Sequence, residues 1–241
     1  MDPRVKLFLM AFGIGAAFQM DDPRSLALFF GVCSLATFAA RLSFRRLFRG
    51  LRPFLWLFVM TALLHVFMTP GSPIAWMPHA TREGLYNGIQ TGLQLVFAVW
   101  LSTLMTLTTS PLDMVWAMEW YMKPLKYLKV PVDEIALLVM LAIRFIPLLF
   151  EETDRIIKAQ KARGVDIETG GLLKKMRSLV PVIVPMLYSV FRRADDLAVA
   201  LTLRGYSPGI ARSRMKRPRA GKSDIASLAG VSAVLIALIL L

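Results

Sequence analysis

The separation of apolar segments from charged ones restricts the fold of this chain most strongly. The chain is 56% hydrophobic and nevertheless carries a net charge of +13. Both values can hold only if the charges lie between the apolar runs, which is typical of a membrane protein with basic loops. Five runs are free or nearly free of charged side chains: residues 5–20, 26–40, 54–69, 84–112 and 225–241.

These runs predict about five transmembrane helices. The fourth is long enough to cross a bilayer alone, and the others approach the roughly 17-residue minimum for a spanning helix. They reach it with flanking residues such as Arg41 and Arg52, whose charged ends can extend to the interface. The first run is not expected to be a cleaved signal peptide, because it lacks a small-residue cleavage site and a second apolar run follows it.

The distribution of arginine and lysine predicts the orientation. The loop between the second and third runs carries Arg41, Arg45, Arg46, Arg49 and Arg52, whereas the loops on the opposite side carry only Arg24 and Arg82. Basic loops favour the cytoplasmic side of a membrane. We therefore expect a cytoplasmic amino terminus, and we expect the fourth run to return the chain to the cytoplasm near Thr109.

The middle of the chain, residues 110–223, is predicted to be a cytoplasmic-side helical domain. It contains two more apolar stretches, 135–150 and 179–191, but these are interrupted by Arg144, Pro147, Pro181 and Pro185. If both stretches crossed the membrane, the basic segment between them would lie outside, against the positive-inside tendency. The predicted domains are therefore 1–109 with four spans, 110–223, and 224–241 with the last span.

Helix signals support this assignment. Ser110-Pro111-Leu112-Asp113 has the N-cap residue, the N1 proline and the acidic N3 residue of a helix start. A second helix is expected from Pro131 to Arg163 with a kink at Pro147, and a third from about Pro185 to Arg204. In the fourth span, Gly84, Gly88 and Gly92 form a row of small residues that favours close helix packing.

Two segments of the middle domain end in the same way. Ala162-Arg163-Gly164 and Leu203-Arg204-Gly205 each close an apolar-periodic stretch with arginine and glycine. Glycine takes the left-handed conformation after a helix, and arginine in the last turn complements the negative end of the helix dipole. One such end indicates a well-capped helix; two in one membrane chain favour a paired docking device.

Catalytic and metal-binding patterns are missing from the sequence. Cys33 is the single cysteine, and His65 and His79 have no ligand-forming companions at suitable spacing, so neither a disulfide framework nor a metal site is expected. Gly221-Lys222-Ser223 resembles the end of a phosphate-binding loop, but position 216 is lysine where the pattern requires glycine. We therefore predict no enzyme activity and no cofactor.

The chain resembles the transmembrane T component of energy-coupling factor transporters, the EcfT, CbiQ and BioN group, over essentially its whole length. The motifs that carry this resemblance are Asp2-Pro3-Arg4-Val5-Lys6-Leu7, Thr108-Thr109-Ser110-Pro111, Val130-Pro131-Val132-Asp133-Glu134, Arg144-Phe145-Ile146-Pro147, Ala159-Gln160-Lys161-Ala162-Arg163-Gly164 and Arg193-Ala194-Asp195-Asp196-Leu197-Ala198. The resemblance implies an all-α integral membrane protein of a prokaryotic cell membrane, with long coupling helices on the cytoplasmic side.

It also implies partners and site residues. In this family two Ala-Arg-Gly endings insert into grooves on two ABC-type ATPase subunits, and a separate substrate-binding membrane subunit carries the vitamin or metal ion. The matching positions are Ala162, Arg163, Gly164, Leu203, Arg204 and Gly205, with Ala159, Gln160, Arg144 and Pro147 as supporting positions. Leu203 departs from the commoner alanine, and we expect this bulkier side chain to alter the fit of the second ending.

Two other interpretations remain open at this point. A conventional permease would carry its own substrate pathway, although the spans offer few polar groups. A membrane anchor for nucleic acid would use the basic region, but residues 109–223 hold 20 Lys/Arg against 11 Asp/Glu, so we expect the lipid bilayer and no nucleic acid as partner. The cargo stays open among vitamins such as biotin and metal ions such as cobalt or nickel, because the resemblance assigns that choice to another subunit.

Overall fold

Helices make up nearly all of the secondary structure in the computed structural model, which describes residues 1–20, 22–74, 77–165, 171–207, 209 and 221–239. The α-helices are α1 (Pro3–Gln19), α2 (Pro23–Ala39), α3 (Phe44–Leu51), α4 (Leu55–Met68), α5 (Arg82–Thr108), α6 (Pro111–Met122), α7 (Val132–Ala162), α8 (Leu172–Leu203) and α9 (Lys222–Ile239). Two 3₁₀ segments, Arg52–Phe54 and Lys123–Leu128, precede α4 and α7.

The chain divides into two compact units, which are described separately. The first comprises Met1–Met118 with Lys216–Leu241, and the second comprises Glu119–Met215. The boundary at Met118 falls inside α6, whose start was predicted correctly: the Asp113 amide donates to Ser110 Oγ at 3.2 Å.

Helix α5 forms the centre of the first unit and packs against α1, α2, α3 and α4. Phe29 of α2 meets Phe97 of α5 edge-to-face, with ring centroids 5.0 Å apart. In the same interface, the Trp100 indole N–H donates to Thr37 Oγ1 at 3.0 Å. The Trp100 indole N–H and the Thr37 hydroxyl are therefore paired with each other, as polar groups in a low-dielectric interior usually are.

The predicted glycine row explains the contact between α4 and α5. A Cβ atom at Gly84 would lie 2.3 Å from the His65 carbonyl oxygen, and one at Gly88 would lie 2.9 Å from the Ala62 carbonyl oxygen. Only glycine permits that approach. At Gly92 a Cβ would meet nothing within 4 Å, so two of the three glycines serve packing and the third does not.

The predicted spans coincide with helices α1, α2, α4, α5 and α9. Among the residues that the structure describes, two continuous apolar helical stretches are long enough to cross a membrane by length and composition: Phe44–Met68, which includes α3, and Arg82–Thr108. Shorter apolar helices occupy Pro23–Ala39 and Leu228–Leu238. Many large apolar side chains on these helices are exposed, for example Phe38 at 77% and Trp56 at 73%, as expected for surfaces that face lipid.

The second unit contains the two longest helices. Helix α7 follows the predicted bounds closely, with Pro147 inside it. Helix α8 begins at Leu172, thirteen residues before the predicted start at Pro185, and runs through both Pro181 and Pro185. A proline removes one backbone donor and the helical hydrogen bond that it would make. The apolar residues on either side maintain the helix despite the two missing hydrogen bonds. The sequence prediction gave too much weight to the effect of these prolines.

A short antiparallel ribbon lies between α4 and α5 and was not predicted. Strands Pro73–Ile74 and Met77–Thr81 pair with Pro73 opposite Thr81. Thr81 then caps α5, because its hydroxyl accepts from the Gly84 amide at 3.1 Å. The ribbon thus fixes the first turn of the central helix of this unit.

Candidate functional site: two capped helix ends

Helix α7 ends in a Schellman motif, a paired hydrogen-bond arrangement that satisfies the last carbonyls of a helix. Ala162 is its last helical residue and Arg163 is the C-cap. Gly164 follows at φ +83°. The Gly164 amide donates to the Lys161 carbonyl and the Val165 amide to the Gln160 carbonyl, both at 3.0 Å.

Helix α8 ends in the same motif. Leu203 is the last helical residue, Arg204 is the C-cap, and Gly205 has φ +72°. The Gly205 amide donates to the Thr202 carbonyl and the Tyr206 amide to the Leu201 carbonyl, both again at 3.0 Å. The two endings therefore agree in cap residue, in backbone conformation and in hydrogen-bond pattern.

Both endings are accessible. Ala162, Arg163, Gly164, Arg204 and Gly205 are all exposed. The sixth site residue, Leu203, is 84% exposed. Each helix therefore presents a guanidinium at its end. The residue before the arginine is the small Ala162 at the end of α7 and the bulky, apolar Leu203 at the end of α8.

The supporting positions divide into two groups. Ala159 and Gln160 belong to the α7 ending, because their carbonyls accept from the Arg163 amide at 3.2 and 3.1 Å; Gln160 is also buried, at 9% exposure. Arg144 and Pro147 lie 19 and 16 residues before Arg163, about 28 and 24 Å away along the helix. The structure does not bring these two to the ending.

The particular side-chain contacts that join α7 and α8 were not predicted from the sequence. Arg193 Nη2 lies 3.2 Å from Glu152 Oε2, and the Thr153 hydroxyl contacts Met186 Sδ at 3.2 Å. The two helices therefore touch near residues 152–153 of α7. The consecutive acidic residues Glu151 and Glu152, directly after the apolar stretch 135–150, were the signal that could have indicated such a contact.

A further hydrogen bond shows that the two endings are well separated. The Gly209 amide donates to Glu134 Oε1 at 2.8 Å, which ties the segment after α8 to the beginning of α7. Five residues from Arg204 to Gly209 span at most about 18 Å, whereas α7 extends about 43 Å from Glu134 to Arg163. Allowing for the length of the glutamate side chain, Arg163 and Arg204 lie more than about 15 Å apart.

Within the part of the chain that the structure describes, no group of three or more His, Cys, Asp and Glu side chains could hold a metal ion. A half-open groove of about 380 Å³ between α2 and α5 is almost entirely apolar, and Tyr86 and Gln90 are its polar lining residues. The two helix ends are thus the feature that calls for a functional explanation. Together with the apolar helices, they define an all-α membrane protein whose two long helices α7 and α8 each end in an exposed, capped arginine.

Comparison with known proteins agrees with this class. The family model described as "Cobalt transport protein" (CbiQ) matches residues 1–216. The chain is 43% identical to the energy-coupling factor transporter transmembrane protein EcfT of Thermanaerovibrio acidaminovorans, over 90% of this chain and 81% of that protein. It is 39% identical to the EcfT protein of Bacillus subtilis, over 90% and 83%, and 38% identical to that of Lactobacillus helveticus, over 95% and 84%.

The chain belongs to this family of energy-coupling factor transporter transmembrane proteins. The expectation of an all-α membrane protein that acts as the transmembrane component of such a transporter is confirmed.

Proposed function

We propose that the two helix ends, Arg163-Gly164 and Arg204-Gly205, are the points at which two cytoplasmic ATPase subunits hold this protein. In this proposal residues 110–223 lie on the cytoplasmic side and transmit ATP-driven motion to a separate substrate-binding membrane subunit. The chain itself performs no chemical step. The single observation that carries the proposal is the identity of the two Schellman endings in cap residue and hydrogen bonds.

Arginine suits such a contact for a physical reason. Its guanidinium stays charged in a partly desolvated groove and presents several donors in a fixed plane. The Schellman hydrogen bonds hold the backbone beneath each arginine, so less conformational freedom is lost on binding. Both arginines are exposed, as a partner requires.

The separation of the endings supports one ATPase subunit per arginine. Since Arg163 and Arg204 lie more than about 15 Å apart, a single small groove cannot accept both. The Glu152–Arg193 contact at 3.2 Å joins the two helices well before their ends. When two ATPase subunits approach one another on binding ATP, each would therefore move one helix end, and the motion would be shared at this contact.

The substrate-binding subunit would pack on the apolar faces of the long helices. Helix α8 exposes a row of large side chains at helical spacing: Val180 (52%), Val184 (59%), Leu187 (46%), Tyr188 (71%) and Phe191 (67%). The positions i, i+4, i+7, i+8 and i+11 fall on one side of a helix. A contiguous exposed apolar surface of this kind is typical of a protein or membrane contact.

The test is the removal of each guanidinium. Arg163→Ala and Arg204→Ala, singly and together, are expected to reduce both co-purification of the ATPase subunits and substrate uptake by cells. Losing one partner of a buried charged contact costs about 2–5 kcal/mol in binding. The matched controls are Arg155→Ala and Arg192→Ala, which remove exposed arginines from the same two helices. Normal assembly and uptake in the Arg163/Arg204 double variant would refute the docking role.

A further inference from the structure

Helix α3 carries a row of arginines that the coupling role does not use. Residues 41–52 contain five arginines and no acidic residue. Arg45, Arg49 and Arg52 are spaced i, i+4 and i+7, which places them along one side of the helix. All three are exposed. We name this set the arginine row.

The opposite side of α3 is fixed to the membrane-spanning unit. Leu47 and Leu51 are buried, at 3% and 8% exposure. Between them, a Cβ atom at Gly50 would lie 2.6 Å from Cγ2 of Thr103, so the backbone of α3 rests directly on α5. Because this side cannot turn away from α5, the arginine row points permanently outward.

The row is electrostatically uncompensated. Among the residues that the structure describes, no carboxylate forms an ion pair with Arg45, Arg49 or Arg52. Like charges one turn apart on a helix repel one another. An outward row of three cations without internal partners therefore favours an external anionic surface.

Position and neighbouring side chains indicate which anionic surface this is. Only the three-residue 3₁₀ segment Arg52–Phe54 separates α3 from α4, and α4 belongs to an apolar helical stretch that is long enough to cross a membrane. Phe44 and Phe48 lie on α3 between the buried leucines and the row, at 52% and 62% exposure. Around α3, the buried leucines are followed by the exposed phenylalanines and then by the arginines. This order is typical of a helix that lies at the surface of the acyl layer, with its cations among the lipid phosphates.

We propose that the arginine row binds the headgroups of anionic phospholipids, with Phe44 and Phe48 inserted among the acyl chains beneath them. The guanidinium fork matches phosphate oxygens in a bidentate manner. The site would hold the start of the α4 span at a fixed depth and would make the protein retain lipids such as phosphatidylglycerol. This proposal does not depend on the docking of the ATPase subunits.

The experiment uses the full chain in nanodiscs of phosphatidylcholine alone or mixed with phosphatidylglycerol. Lipid that remains bound after extraction is counted by native mass spectrometry. We expect the wild type to retain phosphatidylglycerol selectively and the variant Arg45→Gln/Arg49→Gln/Arg52→Gln to retain at least about tenfold less. Each basic residue near an anionic surface contributes about 1 kcal/mol, roughly a factor of five in binding.

Two further variants make the result specific. The first is Arg45→Lys/Arg49→Lys/Arg52→Lys, which keeps the positive charge and should retain most of the lipid. The second is Arg24→Gln/Arg82→Gln, which removes exposed arginines from other helices and should retain all of the lipid. If the glutamine variant does not fold, the wild type is titrated with salt, which should abolish the preference. Unchanged lipid retention, equal loss in the Arg24/Arg82 control, or a salt-insensitive preference would overturn the proposal. So would a loss of ATPase co-purification at unchanged lipid retention, which would identify an acidic protein surface as the partner.

Discussion

Gly164 and Gly205 adopt nearly the same left-handed backbone conformation, with φ of +83° and +72°, each directly after an arginine that caps a long helix. In both cases the glycine amide and the amide after it donate to carbonyls of the preceding turn at 3.0 Å. This equivalence lies in the backbone, so it holds although Ala162 and Leu203 differ. The repeated unit is therefore an arginine followed by a left-handed glycine, and its backbone geometry does not depend on the side chain before the arginine.

The first prediction separates the backbone conformation from the charge. Gly164→Ala and Gly205→Ala should each weaken ATPase retention while both arginines stay in place. A left-handed conformation costs a residue with a Cβ about 1–2 kcal/mol, and a Cβ at either glycine would meet nothing within 4 Å, so no steric clash confuses the result. Co-purification of the ATPase subunits measures the effect.

Asparagine is the control for the glycine variants, because it tolerates the left-handed conformation better than alanine. Gly164→Asn and Gly205→Asn should lose less ATPase than the alanine variants. Equal retention in the alanine variants and the wild type would show that the left-handed cap does not position the arginine.

The second prediction concerns Leu203, which is 84% exposed. Leu203→Ala should leave the free energy of unfolding within about 0.5 kcal/mol of the wild type, as for other exposed positions. It should nevertheless weaken ATPase binding, because complete burial of a leucine contributes about 1.5–3 kcal/mol and only the partner can provide that burial. Thermal unfolding and a binding titration measure the two effects; unchanged or tighter binding would contradict a contact at Leu203.

The third prediction tests the connection between the long helices. Glu152→Gln and Arg193→Gln should each lower the unfolding temperature slightly, and a double-mutant cycle should give a coupling energy of about 0.2–1 kcal/mol, since both side chains are partly exposed. If motion is shared at this contact, the single variants should also reduce uptake per ATP hydrolysed. The charge-exchanged double variant, Glu152→Arg with Arg193→Glu, should restore both the unfolding temperature and the uptake per ATP hydrolysed. A coupling energy of zero in the double-mutant cycle would exclude the ion pair.

The fourth prediction concerns the glycine row of α5. Gly84→Ala should destabilise the protein by about 1–3 kcal/mol, as overpacking does, because the new Cβ would lie 2.3 Å from the His65 carbonyl oxygen. Gly92→Ala, eight residues later on the same helix, should be neutral or stabilising by up to about 1 kcal/mol. Unfolding temperatures in detergent compare the two; equal effects would show that α4 and α5 do not pack as closely as described.

Sequence patterns were sufficient to predict most of the fold. Charge-free runs located the helices of the first unit, because apolar length is a property of the chain itself. The helix caps at Ser110 and at the two arginine endings could also be predicted from the sequence, since capping depends on a few neighbouring residues. Local chemistry of this kind is visible without any knowledge of distant contacts.

The features that escaped prediction depend on packing. The start of α8 at Leu172 was missed because Pro181 and Pro185 argue against a helix locally, whereas the surrounding residues sustain it. The Glu152–Arg193 pair joins positions 41 residues apart, and no spacing rule selects such a pair. Arg144 and Pro147 lie on α7, 19 and 16 residues before Arg163, and their supporting role on this helix stays a prediction.

The most direct test of the central claim is the accessibility of the two endings. Ala162→Cys and Thr202→Cys, at exposed positions beside the two arginines, keep both guanidinium groups and would be labelled with a membrane-impermeant maleimide in inside-out and right-side-out vesicles, with and without the ATPase subunits. Cys33, the chain's single native cysteine, is 1% exposed and should stay unlabelled. We expect both new cysteines to react only in inside-out vesicles and to be protected when the ATPase subunits are present. Labelling of either cysteine in right-side-out vesicles, or labelling that the ATPase subunits do not reduce, would contradict the account.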